Sequence, residues 1–337
     1  MVSDVIDRTP ARPVWEDQSC ELLPEDAPVT RRGLLLFGLM SVIWGIPYFF
    51  IRVAVDEITP ATLVFGRTAI AAAILLPIAL LRVDLRPVLR RWRWVVAFAA
   101  VEIAGPWVLL GSAEQHISSS LAGLLIAGVP LVGTVIALAT GGPDRLGRTG
   151  LLGLIVGLVG VVAIVGGDFE ASDAMALMAI AVVVVGYALG PAILSRRLAG
   201  VSSVGVMALS LALCAVVYAP IAALQWPSAM PSANVLASVA ILASVCTAAA
   251  FLLFAALIAE IGPVRATIIT YVNPAVAAML GVLVLRETFT IGMAIGLGFV
   301  VLGSTLATRP SRAAPGPRRT AAEAAGSPTP PMDEPAP

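Results

Sequence analysis

The stretch ISSSLAGLLIAGVPLVGTVIAL, residues 117–138, recurs in related form as IGPVRATIITYVNPAVAAMLGVLV, residues 261–284. Pro130 aligns with Pro274, an offset of 274 − 130 = 144 residues. A second match, LLPIALL with YAPIAAL, aligns Pro77 with Pro220 at an offset of 220 − 77 = 143 residues. These matches predict two similar halves, with a chance echo between alanine- and valine-rich segments as the alternative.

The composition of the chain identifies its solvent. Of 337 residues, 59% are hydrophobic and 12% are charged, against roughly 25% charged residues in soluble domains. The mean hydropathy is +0.96, so we expect an integral membrane protein. The formal net charge is zero, which gives no electrostatic reason for nucleic-acid binding. Cys20, Cys214 and Cys246 have no metal-ligand or disulfide spacing, so we expect no metal site.

Ten apolar runs are long enough to cross a bilayer as helices, which takes about 20 residues each. They lie near 34–54, 59–81, 94–113, 117–139, 149–167, 174–194, 202–225, 234–259, 264–285 and 289–307. Two halves of five spans place the second half upside down in the membrane, an inverted repeat typical of secondary transporters. The predicted fold is therefore all-α, with repeats at 33–168 and 169–308 and disordered cytoplasmic tails at 1–32 and 309–337.

The charged residues in the links predict the orientation. Arginines collect before span 1, in links 2–3, 4–5 and 6–7, in link 8–9 as Arg265 with Glu260, and after span 10, whereas the other links are mainly acidic, including one that holds Glu114 with His116. Cytoplasmic loops carry the excess of basic residues. We therefore expect a multi-pass protein of the cell (inner) membrane with both termini in the cytoplasm.

Two charged residues fall inside apolar spans, Arg67 in span 2 and Glu102 in span 3. A charge at membrane depth is costly and usually faces a partner or a wet cavity. Arg67 either contacts substrate or pairs structurally between helices. Glu102 lies one turn before Pro106, which frees a backbone carbonyl and weakens the helix there. Its carboxyl is either a substrate or proton site or a protonated group hydrogen-bonded to a neighbouring helix.

Aromatic residues away from the membrane interfaces are further candidates for a substrate cavity. Trp44 and Tyr48 are four residues apart and are expected to share one helix face. The remaining candidates are Trp107, Tyr187, Tyr271 and the polar Asn273, each with core packing or a helix-to-helix hydrogen bond as the alternative. Prolines inside the spans are expected to break helices or act as hinges: Pro47, Pro106, Pro130 and Pro274.

The chain resembles the EamA-type permeases of the drug/metabolite transporter superfamily. The resemblance rests on WGIPYFFIRVAV (44–55), ITPATLVFGRTAIAAAILLP (58–77), AEQHISSSLAGLLIAGVPLVGTVIAL (113–138) and IGPVRATIITYVNPAVAAMLGVLVLRETFT (261–290). It implies ten helices in two inverted repeats, a central cavity, no cofactor, and efflux of amino acids or other small metabolites. The sequence departs from the family pattern in its first half, where Asp144 stands in place of the acid that Glu287 provides in the second.

Taken together, these features predict a secondary-active transporter that exports amino acids or other small neutral or zwitterionic metabolites, or drugs, by alternating access. A lipid-linked carrier flippase and a non-transporting scaffold or sensor are the alternatives. The sequence has one histidine and no HExxH or phosphate-loop motif, so we do not expect an enzyme. The expected partners are a small-molecule substrate and the lipid bilayer, with protons as the candidate coupling ion and a homodimer as the candidate assembly.

Overall fold

The computed structural model describes residues 30–139, 148–166, 173–262, 266 and 268–307. Asp144, residues 1–29 of the predicted N-terminal tail and the whole predicted C-terminal tail therefore lie outside the described residues, whereas Arg31 and Arg32 already belong to the first helix. Throughout the described part of the chain the regular structure is helical, without a β-strand. This confirms the predicted all-α class.

Fifteen α-helices and two π-helical segments are described. In chain order the α-helices, numbered α1 to α15, are Arg31–Ile43, Pro47–Val55, Pro60–Arg82, Arg86–Arg90, Trp92–Phe98, Gly105–Glu114, Ser119–Ile126, Val129–Ala139, Arg148–Val165, Ala174–Arg197, Ser203–Leu224, Ala233–Ala243, Ala250–Ile261, Ile269–Leu283 and Ile291–Ala307. The π-helical segments are Ala99–Ala104, between α5 and α6, and Ser244–Ala249, between α12 and α13.

Several consecutive helices form single membrane-crossing units. Seven helical units, four of which join consecutive helices, are long and apolar enough to span a bilayer: Arg31–Val55, Pro60–Arg82, Trp92–Glu114, Ser119–Ala139, Ala174–Arg197, Ser203–Leu224 and Ala233–Ile261. Three further apolar helices are shorter: Thr149–Val165, Ile269–Leu283 and Ile291–Ala307. Each falls on one of the ten predicted spans, so the structure supports a multi-span membrane protein, and the count of ten spans stays a prediction.

The two π-helical segments occupy corresponding places in the two halves of the chain. They begin at Ala99 and Ser244, which are 244 − 99 = 145 residues apart, and each contains six residues. A π-helix widens the backbone by one residue per turn and occurs frequently at functional sites. The spacing is within two residues of the offsets found in the sequence.

Contacts between links group the arginine-bearing links at one end of the helix bundle. The guanidinium of Arg91, before α5, donates to the carbonyl oxygens of Arg197 (3.0 Å) and Ala199 (2.7 Å), at the end of α10. The hydroxyl of Thr30, before α1, donates to the carboxylate of Glu260 (2.5 Å), near the end of α13. Strict alternation of the spans would place each of these pairs on one side of the membrane.

The mainly acidic links contact one another in the same manner. The side chain of Gln115 donates to the carbonyl oxygen of Val55 at 3.3 Å, and the backbone N–H of Ser232 donates to the carboxylate of Glu57 at 2.7 Å. These contacts again join links that alternation places on the same side. Which side faces the cytoplasm stays a prediction from the arginine distribution.

Helices α9 and α15 pack with their backbones in close contact. A Cβ at Gly153, Gly160 or Gly303 would lie 2.3 to 2.8 Å from atoms of the facing helix, most of them backbone atoms. Only glycine allows this approach, and small residues are what permit such packing between membrane helices. Gly153 therefore serves the packing of these two helices.

Candidate functional site

Arg67 lies at the centre of a buried polar cluster. It projects from α3, is 8% exposed, and its guanidinium carbon sits 3.5 Å from the centroid of the Trp107 ring. Its Nε donates to the hydroxyl of Thr247 at 2.9 Å. Among the described residues, Thr247 is the hydrogen-bond partner of the guanidinium, and it engages only Nε. The two terminal nitrogens are therefore available to a ligand. A guanidinium presents a planar pair of donors that fits a carboxylate.

The π-helical segment Ser244–Ala249 explains why Thr247 can hold this arginine. The Thr247 hydroxyl donates to the carbonyl oxygen of Leu242, five residues back, at 2.7 Å. Its own proton is therefore used within the helix, and the oxygen lone pairs face Arg67. Stacking on Trp107 and this hydrogen bond together fix the plane of the guanidinium.

Two tyrosines lie around Arg67. Tyr187, from α10, packs against the buried cluster that contains Trp107 and is in electrostatic range of Arg67, Glu102 and Glu114. Tyr48, from α2, is 7% exposed and in electrostatic range of Tyr187, Glu114 and Arg67. The structure thus brings together five of the eight predicted substrate residues.

Glu102 lies within the π-helical segment Ala99–Ala104, just before Pro106. Its Oε2 atom is buried and has no hydrogen-bond partner among the described residues. The carboxylate occupies the space next to Gly190 on α10, where a Cβ would overlap it. The local widening of the helix coincides with the proline-weakened turn that the sequence predicted, and Oε2 is left without a hydrogen-bond donor there.

The structure corrects the placement of Glu114, which the sequence assigned to an external link. Glu114 is the last residue of α6 and is 0% exposed, and both of its carboxylate oxygens lack a hydrogen-bond partner among the described residues. The helix continues past the predicted end of span 3 at residue 113, so the side chain is drawn into the bundle. Sequence reasoning missed this residue because the polar Gln115 and His116 follow it directly.

A second acid, Glu287, binds the start of α7 from the other half of the chain. One carboxylate oxygen accepts from the backbone N–H (2.8 Å) and the hydroxyl (2.9 Å) of Ser119; the other accepts from the N–H (2.9 Å) and the hydroxyl (2.5 Å) of Ser120. The first N–H groups of a helix have no partner within it and attract an anion. Gly281 leaves the space that this carboxylate occupies.

Three predicted cavity residues lie apart from the Arg67 cluster. The helix is interrupted at Trp44–Ile46, so Trp44 and Tyr48 do not share one helix face as expected. Trp44 stacks instead on Phe254 of α13, with ring centroids 4.6 Å apart. Tyr271, on α14, is half-buried.

Asn273 takes the helix-to-helix role that the sequence left open as an alternative. With its amide nitrogen assigned to face the two acceptors, it donates to the carbonyl oxygens of Ser41 (3.0 Å) and Ile269 (2.9 Å). The carbonyl of Ser41 lies where α1 ends, so Asn273 satisfies a group that the interruption of span 1 frees.

The four predicted hinge prolines differ in what they do. Pro47 begins α2 after the interruption, Pro106 follows the π-helical segment, and Pro130 lies in the first turn of α8 after a break at Ala127–Gly128. Pro274 does not break its helix, because Ile269–Leu283 continues through it. Pro274 has no N–H to donate, but Ile269–Leu283 packs against several neighbouring helices, and this packing stabilises the helix despite the lost hydrogen bond.

One further residue, Thr247, was missed from the sequence, because offsets of 143 and 144 residues align Glu102 with Val245 and Cys246 instead. It lies 247 − 102 = 145 residues after Glu102 and holds the corresponding position in the second π-helical segment. As for inorganic ligands, the described residues contain no group of three His, Cys, Asp or Glu side chains that could hold a metal ion.

Comparison with known proteins adds three matches. The model of the EamA-like transporter family matches the chain twice, at residues 31–166 and 174–309. "Uncharacterized inner membrane transporter YedA" of Escherichia coli strain K12 is 27% identical over 294 residues, covering 82% of this chain and 92% of the relative, and the same protein of strain O157:H7 matches equally. A solved crystal structure, 22% identical, covers 82% of this chain with a TM-score of 0.59, a likeness of fold.

Proposed function

Because the chain belongs to the EamA-like transporter family, we propose that it exports amino acids or similar small zwitterionic metabolites by secondary-active alternating access. The membership confirms the resemblance found in the sequence and makes the protein a membrane transporter rather than an enzyme. The substrate class, the direction and the coupling are the parts that we propose.

The observation that carries this proposal is the burial of two opposite charges, Arg67 and the Oε2 atom of Glu102, within the helix bundle. Tyr187 interacts electrostatically with both Arg67 and Glu102, which lie on different helices and are not paired with each other in an ion pair. Arg67 offers donors for a carboxylate, and Glu102 offers an unpartnered acceptor for an ammonium group. A zwitterion carries both groups and would satisfy both side chains at once.

The burial of the cluster supports alternating access. Arg67 and Trp107 are 8% and 7% exposed, so a substrate can reach them only after the surrounding helices move. The interruption before Pro47 and the two π-helical segments surround this cluster and give the helices places to bend. Discontinuous helices at the midplane are typical of transporter sites.

Glu102 has two possible duties in such a cycle. It binds the substrate's ammonium group, or it carries the proton whose movement drives transport, since an unpaired charged carboxylate at this depth is costly. Both duties require a carboxyl without a permanent partner, which is the state of its Oε2. Replacing Glu102 with glutamine separates the two duties, because a proton carrier and an ammonium-binding group lose different steps of the cycle.

We propose the inner membrane as the location, with both termini in the cytoplasm. The curated relative is named an inner membrane transporter. The arginine-bearing links that contact one another, at Arg91 with Arg197 and Ala199, would then face the cytoplasm, in accordance with the excess of basic residues found there.

Reconstitution into proteoliposomes tests the function directly. Vesicles loaded with a mixture of unlabelled amino acids should take up labelled amino acids by exchange, and Arg67→Gln should lower the exchange at least tenfold. Arg93→Gln, which removes an exposed arginine at a span end, serves as the matched control and should exchange normally. Absence of exchange with every amino acid, or full activity of Arg67→Gln, would contradict the proposal.

A further inference from the structure

Glu114 is the described acid that neither the family membership nor the proposed zwitterion site uses. It lies on the same membrane-crossing unit as Glu102 and Trp107, Trp92–Glu114. At the helical rise, Glu102 is about 8 Å along the axis from Trp107, and Glu114 is about 10 Å away in the other direction. The Arg67–Trp107 stack thus lies between two unpartnered carboxyls.

The immediate surroundings of Glu114 offer no neutralising partner. The charged and titratable groups in electrostatic range are Arg52 and Tyr48 from α2, Tyr187 from α10, and Glu287. The guanidinium of Arg52 already pairs with Asp56 at 2.5 Å, near the surface. Glu287 is held by Ser119 and Ser120. A fully buried carboxyl with two unused oxygens is therefore open to a ligand.

The charge balance of the buried cluster indicates the ligand's charge. In their ionised forms Arg67, Glu102 and Glu114 contribute one positive and two negative charges, a sum of −1. A zwitterion leaves that sum unchanged. A substrate with a second ammonium group would bring it to zero. The half-buried Glu287, which two serines of α7 bind without neutralising it, adds negative charge near Glu114, and burial strongly favours compensated charges.

We propose that Glu114 is a second ammonium-binding subsite and that the preferred substrates are dibasic amino acids. The α-carboxylate contacts Arg67, and the terminal ammonium reaches Glu114. Side chains on a helix lean towards its N-terminus, so the Glu114 carboxyl points back towards the level of Trp107. An extended lysine side chain reaches roughly 6 Å from its Cα, against about 10 Å of helical rise between Trp107 and Glu114, which the lean of the Glu114 side chain shortens.

This inference rests on the proposed zwitterion site and adds the chain length and charge of the substrate. Lysine and norleucine distinguish the second subsite from the zwitterion site, because norleucine has a similar chain without the terminal ammonium. Competition binding to the purified protein in lipid nanodiscs should show lysine binding at least tenfold more tightly than norleucine. Affinity should also rise from 2,3-diaminopropionate through ornithine to lysine as the second ammonium approaches Glu114.

The variant Glu114→Gln should bind norleucine as the unmodified protein does and should lose the preference for lysine, so that the affinity ratio falls to about one. Glu57→Gln removes an exposed acid from a link and should keep the preference, as the matched control. Equal binding of lysine and norleucine, or an unchanged ratio in Glu114→Gln, overturns the second subsite while leaving the zwitterion site intact. Failure to bind any of these amino acids overturns both. If Glu114→Gln does not fold, a flat chain-length series in the unmodified protein overturns the subsite by itself.

Discussion

The carboxylate of Glu102 fills the space that a Cβ at Gly190 would occupy, so these residues on two different helices fix each other's position. The contact explains how an acid without a hydrogen-bond partner at Oε2 keeps one orientation at membrane depth.

Gly190→Ala should displace the Glu102 side chain and lower amino acid exchange at least tenfold, while the protein remains abundant in the membrane. Gly298→Ala is the control, because a Cβ there meets no atom within 4 Å and alanine is the better helix former. Exchange in proteoliposomes is the measurement. Equal activity of both variants would mean that the position of Glu102 does not matter for transport.

Glu102→Gln should distinguish the two duties of this acid. If Glu102 carries the coupling proton, the variant should lose its response to a pH gradient and still exchange substrate across the membrane. If Glu102 binds the ammonium group, the variant should lose substrate binding itself. Uptake with and without a pH gradient, together with binding in detergent, separates these outcomes; normal gradient-driven transport would rule out both and leave a structural role.

Thr247→Val should destabilise the protein by about 2 kcal/mol, because it removes the acceptor for the Nε of the buried Arg67. Valine matches threonine in shape, so packing changes little. Thr247→Ser keeps the hydroxyl and should unfold close to the unmodified protein. Thermal unfolding in one detergent, followed by tryptophan fluorescence, compares the three proteins. A melting temperature for the valine variant as high as that of the serine variant would show that Arg67 is held by Trp107 alone.

Glu287→Gln should destabilise the packing of α7 against α14 by about 1–3 kcal/mol, since a neutral amide cannot accept from all four donors of Ser119 and Ser120. Faster amide hydrogen exchange in the peptide covering residues 118–126 is the measurement. Asp56→Asn, which alters an exposed ion pair, should leave this peptide unchanged. Unaltered exchange in Glu287→Gln would show that solvent replaces the carboxylate without loss.

Acid should loosen the start of α12 through Glu57. Hydrogen bonds from the side chain and the backbone N–H of Ser232 lower the pKa of the Glu57 carboxyl. A lowered pKa in the folded state means that the contact stabilises the protein above the ordinary glutamate value of about 4.3 and is lost as the pH falls through the lowered value. Exchange in residues 232–243, corrected for intrinsic rates, should therefore increase in acid. Glu57→Gln should abolish this pH dependence, and its persistence would assign the effect to another group.

Hydropathy and isolated charges made much of the fold and part of the site predictable. Apolar runs of about 20 residues indicate membrane helices, and Arg67 and Glu102 stand out because each lies within such a run. Trp107 and Tyr187 were predicted only as separate aromatic candidates. Their grouping around Arg67 depends on how four helices pack, which a single sequence does not encode in any local pattern.

The residues that sequence reasoning misplaced lie where helices begin, end or change type. Glu114 was assigned to a link because polar residues follow it, although one additional helical residue buries it completely. Trp44 and Tyr48 were assigned one face on the assumption of an unbroken helix, which the interruption before Pro47 invalidates. Thr247 carried no signal as one threonine among apolar residues until its place in a π-helical segment was known.

The glycine contact between Arg148–Val165 and Ile291–Ala307 has a consequence for how the polypeptide could be divided. Each helix closes one of the two segments that match the family, 31–166 and 174–309. The backbones of the two helices are in direct contact, and one helix comes from each segment. This contact does not require a covalent link between the two segments. Two half-length polypeptides, separated within residues 167–173 and produced in the same cell, should therefore recognise each other through this pair of helices and assemble.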